Sequence, residues 1–296
     1  MVKNTKNKKL GIWATTYLPL IHKDKKNDRR LQRAVFEGIP SELRDVVWWK
    51  LLGNIHQDYV KLYEHLLDMR EFVKDRDSYK KSESLIEKDL HRTYAKLDIF
   101  KPGNLLHTPL RNILTAFTVH RPDVGYIQGM SYLAAVFLMN LEENQAFSLF
   151  LSLTNWDIMY YWFWFNMDKV NWFFSVFQSL IKKYTPYVYD ILQEHSIAVS
   201  LFLFEWIITM FSNTFPTTVC FRIWDQIFFY GQVEIIVFSL SILKCIEDEL
   251  VECGTYEKCV EMLKYPNKFI TEDELFDCYD SIKIDKEQLL YDILGA

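Results

Sequence analysis

The chain has 296 residues and a formal net charge of −5, and half of its residues are hydrophobic while 16% are aromatic. This is enough apolar material for a sizeable buried core. Glycine (9) and proline (8) are scarce, and no alternation of Val, Ile and Thr between turn residues occurs, which argues against a sheet. We therefore expect an all-α protein with no significant sheet.

Positive charge is concentrated in residues 1–33, a basic N-terminal segment. Ten Lys and Arg there face only Asp24 and Asp28, a net charge of +8, and because the whole chain carries −5 the remainder carries −13. Such a segment suits contact with an anionic membrane or an acidic partner. A solvated and partly disordered tail is the alternative interpretation.

The expected compartment is the cytoplasm. The five cysteines are odd in number and lack CxxC spacing, which is typical of reduced cysteines in an intracellular protein. The first nine residues contain four lysines, and no apolar signal-peptide core follows them. The longest apolar run, residues 197–211, is short for a membrane span and contains Glu205. A peripheral position on endomembranes, reached through residues 1–33, is compatible with this composition.

The first helix after the basic segment begins near Ser41, a candidate N-cap. It carries Arg44 and Trp48 four residues apart, so the two are neighbours on its surface, and we expect the guanidinium to stack on the indole. Gly53 is predicted to end it. A polar helix follows over roughly 57–73.

The next predicted helix, Ser82 to Leu97, contains Ile86, Asp89 and Arg92 at intervals of three residues. At about 100° per residue they share one side of the helix, so Asp89 can hold the Arg92 guanidinium by a charge-assisted hydrogen bond. An ordinary surface ion pair would show the same spacing. The functional interpretation is that Asp89 fixes an arginine that points at a phosphate.

The stretch from Val124 to Met130 places Gln128 between Gly125 and Gly129. The two glycines permit a tight turn that presents the glutamine amide outward. That amide has an acceptor and two donors, so it can hold a water and a backbone group together. Most glutamines in turns are only loop hydrogen-bonders, and the turn alone does not decide between the two interpretations.

The remainder is predicted to be packed helix. An aromatic run, residues 156–165, is expected to be a core or interdomain plug and not a ligand cage, because polar partners for a ligand are lacking among its aromatic residues. Arg222 and Asp225, three residues apart, are expected to form a structural ion pair. The predicted helices cover about 105–120, 129–140, 143–154, 169–183, 186–194, 198–212, 217–229, 232–251, 272–279 and 285–293.

A self-sufficient active site is not visible in the sequence. The chain contains no GxxxxGK[ST], GxGxxG, GxSxG or HExxH motif, and its seven histidines show no metal-ligand spacing.

Together these stretches resemble the TBC domain, the GTPase-activating module for Rab-family small GTPases. The resemblance covers roughly residues 36–250, and the ordered combination of its motifs is specific where each alone is weak. The matching residues are Gly38-Ile39-Pro40 with Leu43, Arg44 and Trp48; Ile86-x-x-Asp89-x-x-Arg92-Thr93; Gly125-Tyr126-x-Gln128-Gly129-Met130; Glu205-Trp206; Phe211; and Arg222-Ile223-Trp224-Asp225 followed by Gly231.

The resemblance implies an all-α fold of two helical subdomains, here expected at 34–160, with both motifs, and 161–296. It implies that Arg92 and Gln128 are catalytic fingers inserted into a GTPase site. The implied supporting residues are Asp89, Ile86, Tyr126 and Gly129, and the implied structural motif is Arg44, Trp48, Arg222, Trp224 and Asp225. Ala95 departs from the family, since many relatives have proline there.

The implied protein is not itself an enzyme but a catalytic activator that supplies residues in trans to a Rab GTPase and so regulates vesicle trafficking. It would need no cofactor of its own, because the GTPase carries GTP and Mg²⁺, and no nucleic-acid partner is expected. A non-catalytic scaffold or Rab-binding module with the same fold is the alternative. A membrane-tethering helical adaptor is a weaker third possibility, because no amphipathic or lipidation motif accompanies the basic residues.

Overall fold

A computed structural model describes residues 2–23, 26–52 and 56–295 of the chain. Throughout these ranges the regular structure is helical, and no β-strand occurs in them, as the composition predicts. The predicted helix end at Gly53 lies outside the described residues. The helices group into two compact units, and each unit is described separately below.

The first unit comprises Met1–Asn155 and Trp224–Phe229. Short helical turns at Trp13–Tyr17, Ser41–Leu43 and Asp98–Phe100 connect some of its helices. Ser41 therefore begins a 3₁₀ turn and does not cap the helix that follows. The helices are α1 (Val2–Ile12), α2 (Leu18–His22), α3 (Arg29–Phe36), α4 (Arg44–Leu51), α5 (His56–Val73), α6 (Asp77–Leu90), α7 (His107–His120), α8 (Met130–Leu138) and α9 (Glu143–Thr154).

The basic N-terminal segment is folded over its described residues, and this differs from the disordered alternative. The reason is its apolar content, because Trp13, Ile21 and Leu31 are at most 3% exposed. Burial of such large side chains can offset the entropy of ordering a charged segment. Asp28 caps α3 by accepting hydrogen bonds from the backbone N–H groups of Arg30 and Leu31.

The core of the first unit lies where α7, α8 and α9 meet α5. Helix α8 is buried along almost its whole length, as expected for a helix with no charged residue. Because its neighbours enclose it, α8 is a fixed support for the loop that enters it at Gly129.

The second unit comprises Trp156–Ile223 and Tyr230–Ala296. The middle of the predicted aromatic run forms the helix Asp157–Phe163, in which Trp162 is fully buried and packs edge-on against Phe173, so this part is core as expected. Tyr160 and Phe165 of the same run are 40% and 49% exposed. The helices are α10 (Asp157–Phe163), α11 (Met167–Tyr184), α12 (Pro186–Glu194), α13 (Ser200–Ile208), α14 (Thr217–Tyr230, of which 224–229 belong to the first unit), α15 (Glu234–Cys245), α16 (Glu247–Cys253), α17 (Tyr256–Lys264), α18 (Glu272–Ser281) and α19 (Lys286–Leu294).

Two expectations for the second unit are wrong in detail. The single helix predicted over 232–251 is interrupted at Ile246, and it forms α15 and α16. Cys253 and Cys259 form a disulfide, so the expectation of five reduced cysteines fails for this pair, while Cys220, Cys245 and Cys278 are free.

Candidate functional site

The site is built around Asp89, near the C-terminal end of α6. This carboxylate is only 4% exposed because Tyr79, Ser82, Ile86 and Leu90 bury the same side of the helix. Ile86, at 1% exposed, is a packing residue of that face. A buried carboxylate is stable only where donors surround it, so its partners define the site.

Arg92 is the first partner of Asp89. Its Nε lies 2.7 Å from Asp89 Oδ1, and its Nη2 lies 2.7 Å from the same oxygen. The arginine side chain is 49% exposed, whereas that of Asp89 is 6% exposed. Nη1 makes no hydrogen bond to any described residue. Asp89 therefore fixes the guanidinium on the side of Nε and Nη2, and the side of Nη1 is open to solvent.

The backbone around Arg92 differs from the prediction. Helix α6 ends at Leu90, seven residues earlier than expected, so Arg92 stands in the turn beyond it. Thr93 ties this turn down, because its hydroxyl donates to the Asp89 carbonyl at 2.7 Å and lies 2.7 Å from Ser131 Oγ. Tyr94 then adopts a positive φ of 46°, a conformation in which no α-helix continues.

Tyr94 is also held by its ring. It stacks on Phe100 with centroids 6.0 Å apart and meets Tyr132 edge-on at 5.4 Å. The hydroxyl of Tyr132 donates to the Arg92 carbonyl at 3.2 Å. The arginine turn is thus fastened to α8 by Ser131 and Tyr132. Sequence reasoning missed Ser131 and Tyr132, because only the packing of α8 brings them to the turn, and it missed Tyr94, because its positive φ has no signal in the sequence.

The loop that carries Gln128 needs its two glycines for different reasons. Gly125 has φ of 67°, a conformation that is strained for a residue with a side chain, and a Cβ there would lie 2.9 Å from Ser82 Oγ and would displace that hydroxyl. Gly129, with φ of 105°, is the N-cap of α8. Gln128 between them is exposed, and its amide makes no hydrogen bond within the described part of the chain. The glutamine amide is therefore exposed to solvent and free to bind a partner molecule.

Asp89 also holds this second loop. Its Oδ2 accepts a hydrogen bond of 2.6 Å from the Tyr126 hydroxyl and a longer one of 3.4 Å from the Gly129 N–H. Burial, together with the adjacent Asp89, raises the pKa of the Tyr126 phenol far above its usual value, so the phenol stays protonated and donates. One carboxylate therefore orients Arg92 through one oxygen and the glutamine loop through the other.

Four of the five predicted structural residues, Arg44, Trp48, Trp224 and Asp225, lie in a separate buried cluster of the first unit. Asp225 accepts hydrogen bonds from Arg44 Nε and Nη2, both at 3.1 Å, from Trp48 Nε1 at 2.8 Å and from the Ile39 N–H at 2.9 Å. The Arg44 guanidinium lies 5.7 Å from the centroid of the Trp48 ring, which confirms the predicted stacking. Trp224 packs beside Trp48, with ring centroids 5.8 Å apart. The cluster joins α4 to residues 224–229.

The predicted ion pair between Arg222 and Asp225 is wrong. Arg222 pairs with Glu272 at 2.9 Å and lies over the Phe276 ring at 3.7 Å, both on α18. Residues three positions apart on a helix differ by about 60° in direction. Here that difference is enough to give each side chain its own partner. Asp225 pairs with Arg44, which lies 181 residues earlier in the chain.

Two negative observations bear on the chemistry of the described ranges. They contain no group of three or more His, Cys, Asp or Glu side chains placed to hold a metal ion. None of their helices is both long and apolar enough to cross a membrane.

The chain belongs to the Rab-GTPase-TBC domain family, whose sequence profile matches residues 41–251. The crystal structure of a Chlamydomonas flagellar RabGAP TBC domain is similar in fold, with a TM-score of 0.71 at 21% identity over 93% of this chain and 92% of that one. The YPT/RAB-GAP domain of Gyp1p is similar as well, with a TM-score of 0.72 at 18% identity over 85% of this chain and 90% of that one.

The chain also resembles longer proteins in sequence. TBC1 domain family member 12 of Xenopus tropicalis is 30% identical over 92% of this chain and 42% of its own length. Drainin of Dictyostelium discoideum is 35% identical over 69% of this chain and 47% of its own length. The chain thus spans less than half the length of these curated relatives.

Proposed function

We propose that this protein accelerates GTP hydrolysis by a Rab-family small GTPase, supplying Arg92 and Gln128 in trans to the nucleotide site of the GTPase. The observation that supports this most is Asp89. A surface ion pair needs no second partner, but this carboxylate is buried and divides its two oxygens between the two loops. Such sharing positions two exposed side chains relative to each other, as a two-residue catalytic device requires.

The chemistry of the two side chains fits phosphoryl transfer to water. In the transition state negative charge spreads over the γ-phosphoryl and leaving oxygens, and an arginine supplied in trans is worth about 10³ to 10⁵ in rate. Arg92 has an open nitrogen for this purpose. The Gln128 amide can accept from an attacking water and donate to another group at the same time. GTP and Mg²⁺ would come with the GTPase.

The direct test is a screen of purified, GTP-loaded Rab-family GTPases for phosphate release under single-turnover conditions. The matched controls are Arg92→Ala and Gln128→Ala, both at exposed side chains, which should leave the fold intact. We expect at least one GTPase to be stimulated strongly by the natural protein and weakly by either variant. Regulation of vesicle trafficking from the cytoplasmic surface of endomembranes would follow from that activity.

The rival function is a non-catalytic scaffold or Rab-binding module. It predicts GTPase binding without stimulation, and binding that both finger variants retain. Stimulation by the natural protein that is equally strong in both variants would also contradict the proposal, since it would place the catalytic groups elsewhere.

A further inference from the structure

A second surface of the first unit has features that hydrolysis does not use. It is a groove of about 510 Å³ between α1 and α3, in the basic N-terminal segment. Its rim carries Lys8, Lys9, Arg30 and Arg33 against one acidic residue, Glu37. The groove therefore has a net positive charge, although the remainder of the chain beyond residue 33 is strongly acidic.

The cations of the rim are exposed, and their ion pairs lie at the protein surface. The Arg30 and Arg33 side chains are 71% and 83% exposed. Arg30 pairs with Asp28 through both Nε and Nη2, whereas Arg33 pairs with Glu37 through Nε at the surface, where such a pair contributes little stability. Lys8 contacts no acidic side chain in the part of the chain that the structure describes. These side chains can exchange their partners for an anion at small cost.

The floor of the groove is apolar. Ile12 lines it and is 41% exposed, directly after the basic stretch of α1. Tyr17 lines it too and packs edge-on against the buried Trp13, with ring centroids 5.3 Å apart. Trp13, 1% exposed, anchors the apolar floor in the core, so the floor has a fixed position beneath exposed cations.

From this arrangement we propose that the groove binds the surface of an anionic membrane, with lipid phosphates between its Lys and Arg side chains and Ile12 facing the interfacial region. A site for a free phosphate needs buried donors that converge on one point, and the rim cations are instead long, exposed and spread out. Such cations suit a dense and fluid layer of negative charge. Charge complementarity and the exposed Ile12 together favour a bilayer over a single soluble anion.

The test compares two variants of equal net charge. Lys8→Glu/Arg33→Glu reverses two rim cations, whereas Lys23→Glu/Arg29→Glu reverses two exposed cations of the same segment that do not line the groove. Co-sedimentation is measured with vesicles of phosphatidylcholine, with and without phosphatidylserine. We expect the rim variant to lose about tenfold or more in affinity for phosphatidylserine vesicles, and the control variant to lose clearly less. Equal losses of affinity in the two variants would contradict the proposed groove site, because they would mean that the whole basic segment attracts the vesicles without a specific site.

Further measurements identify what binds in the groove. Ile12→Ser should weaken vesicle binding several-fold without changing charge, and no loss would contradict the interfacial role of Ile12. Inorganic phosphate should displace the protein from vesicles no more than chloride of equal ionic strength, since both act only by screening. Stronger displacement by phosphate would make the groove a free-phosphate site. Binding of an acidic amphipathic peptide in place of vesicles would likewise overturn the membrane assignment.

The assay needs no GTPase, so its outcome is independent of the proposed activity. All four substituted cations are exposed, and thermal unfolding of each variant checks that the fold is retained. Both variants should stimulate GTP hydrolysis in solution as the natural protein does, because neither alters the Asp89 site.

Discussion

The Arg92 guanidinium is held through Nε and Nη2, so the geometry of its fork matters as well as its charge. Arg92→Lys keeps the charge but cannot pair with Asp89 and present a second donor in the same plane. We expect stimulated hydrolysis to fall by about 10³ or more, as for an arginine supplied in trans. Single-turnover phosphate release measures this, with GTPase binding as the control. Near-full stimulation by the lysine variant would contradict the finger assignment.

Asp89 should act through Arg92 and the glutamine loop, without touching the reacting atoms. Asp89→Asn keeps the shape but removes the charge that orients the guanidinium, so we expect stimulation to fall by about 10- to 100-fold. In an Arg92→Ala background the same change should add little, because residues that act as one unit are non-additive. A double variant whose loss equals the product of the two single losses would show that Asp89 acts elsewhere.

Tyr94 tests whether the arginine turn is held in its left-handed backbone conformation. At φ of 46° a residue with a Cβ is strained by about 1 kcal/mol or more, whereas glycine is not. Tyr94→Ala and Tyr94→Gly both lose the stacking on Phe100 and Tyr132. We therefore expect the glycine variant to be the more stable of the two by about 1 kcal/mol in urea unfolding. The opposite order would mean that the turn relaxes once the ring is gone.

At the scale of helices, the Asp225 cluster fastens α4 to residues 224–229. Asp225→Ala leaves the Arg44 guanidinium, 8% exposed, without its carboxylate, and we expect a loss of about 3 to 5 kcal/mol in the free energy of unfolding. Arg33→Ala, which breaks an exposed pair, should cost less than about 1 kcal/mol. Urea unfolding followed by circular dichroism measures both. Equal, small losses would mean that water or another group replaces the carboxylate.

Helix periodicity in the sequence predicts most of the helices, and α7, α8, α9 and α12 lie close to their expected positions. The end of α6 could not be predicted, because it depends on Thr93 reaching Ser131 and on Tyr94 stacking on Phe100. The first contact joins residues 38 positions apart, and the second depends on a turn that the helical pattern does not show. The folding of the N-terminal segment could not be predicted either. Its many charged residues dominate the local sequence pattern, and its few large apolar residues are buried only by contacts in the folded protein.

The site itself was only partly predictable. Spacing indicates that Asp89 can reach Arg92, and the structure has that ion pair. No local pattern shows that the other oxygen of Asp89 binds Tyr126 and Gly129, which lie 37 and 40 residues further along the chain. The same argument explains the wrong pairing of Arg222 with Asp225, because a spacing of three residues names a candidate partner but not its competitors.

At the scale of the whole complex, Gln128 distinguishes two mechanisms. Many GTPases orient the water with their own switch glutamine and take only an arginine from the activator. If Gln128 replaces that residue, a GTPase whose switch glutamine is changed to Ala should still be stimulated substantially, whereas Gln128→Ala should nearly abolish stimulation of the natural GTPase. Phosphate release is measured for all four combinations, with binding as the control. Full dependence on the GTPase glutamine and indifference to Gln128→Ala would make Gln128 an ordinary loop residue.

Asp89 also competes for Arg92 with any nucleotide that the arginine would reach. While a γ-phosphoryl group is present, the guanidinium has a strong alternative anion, and after hydrolysis that anion departs as inorganic phosphate. Arg92, which Asp89 holds through Nε and Nη2, then pairs with that carboxylate alone. Under the proposed function this favours release of the GDP-bound GTPase, so the residue that orients the arginine for reaction would also help the protein to turn over.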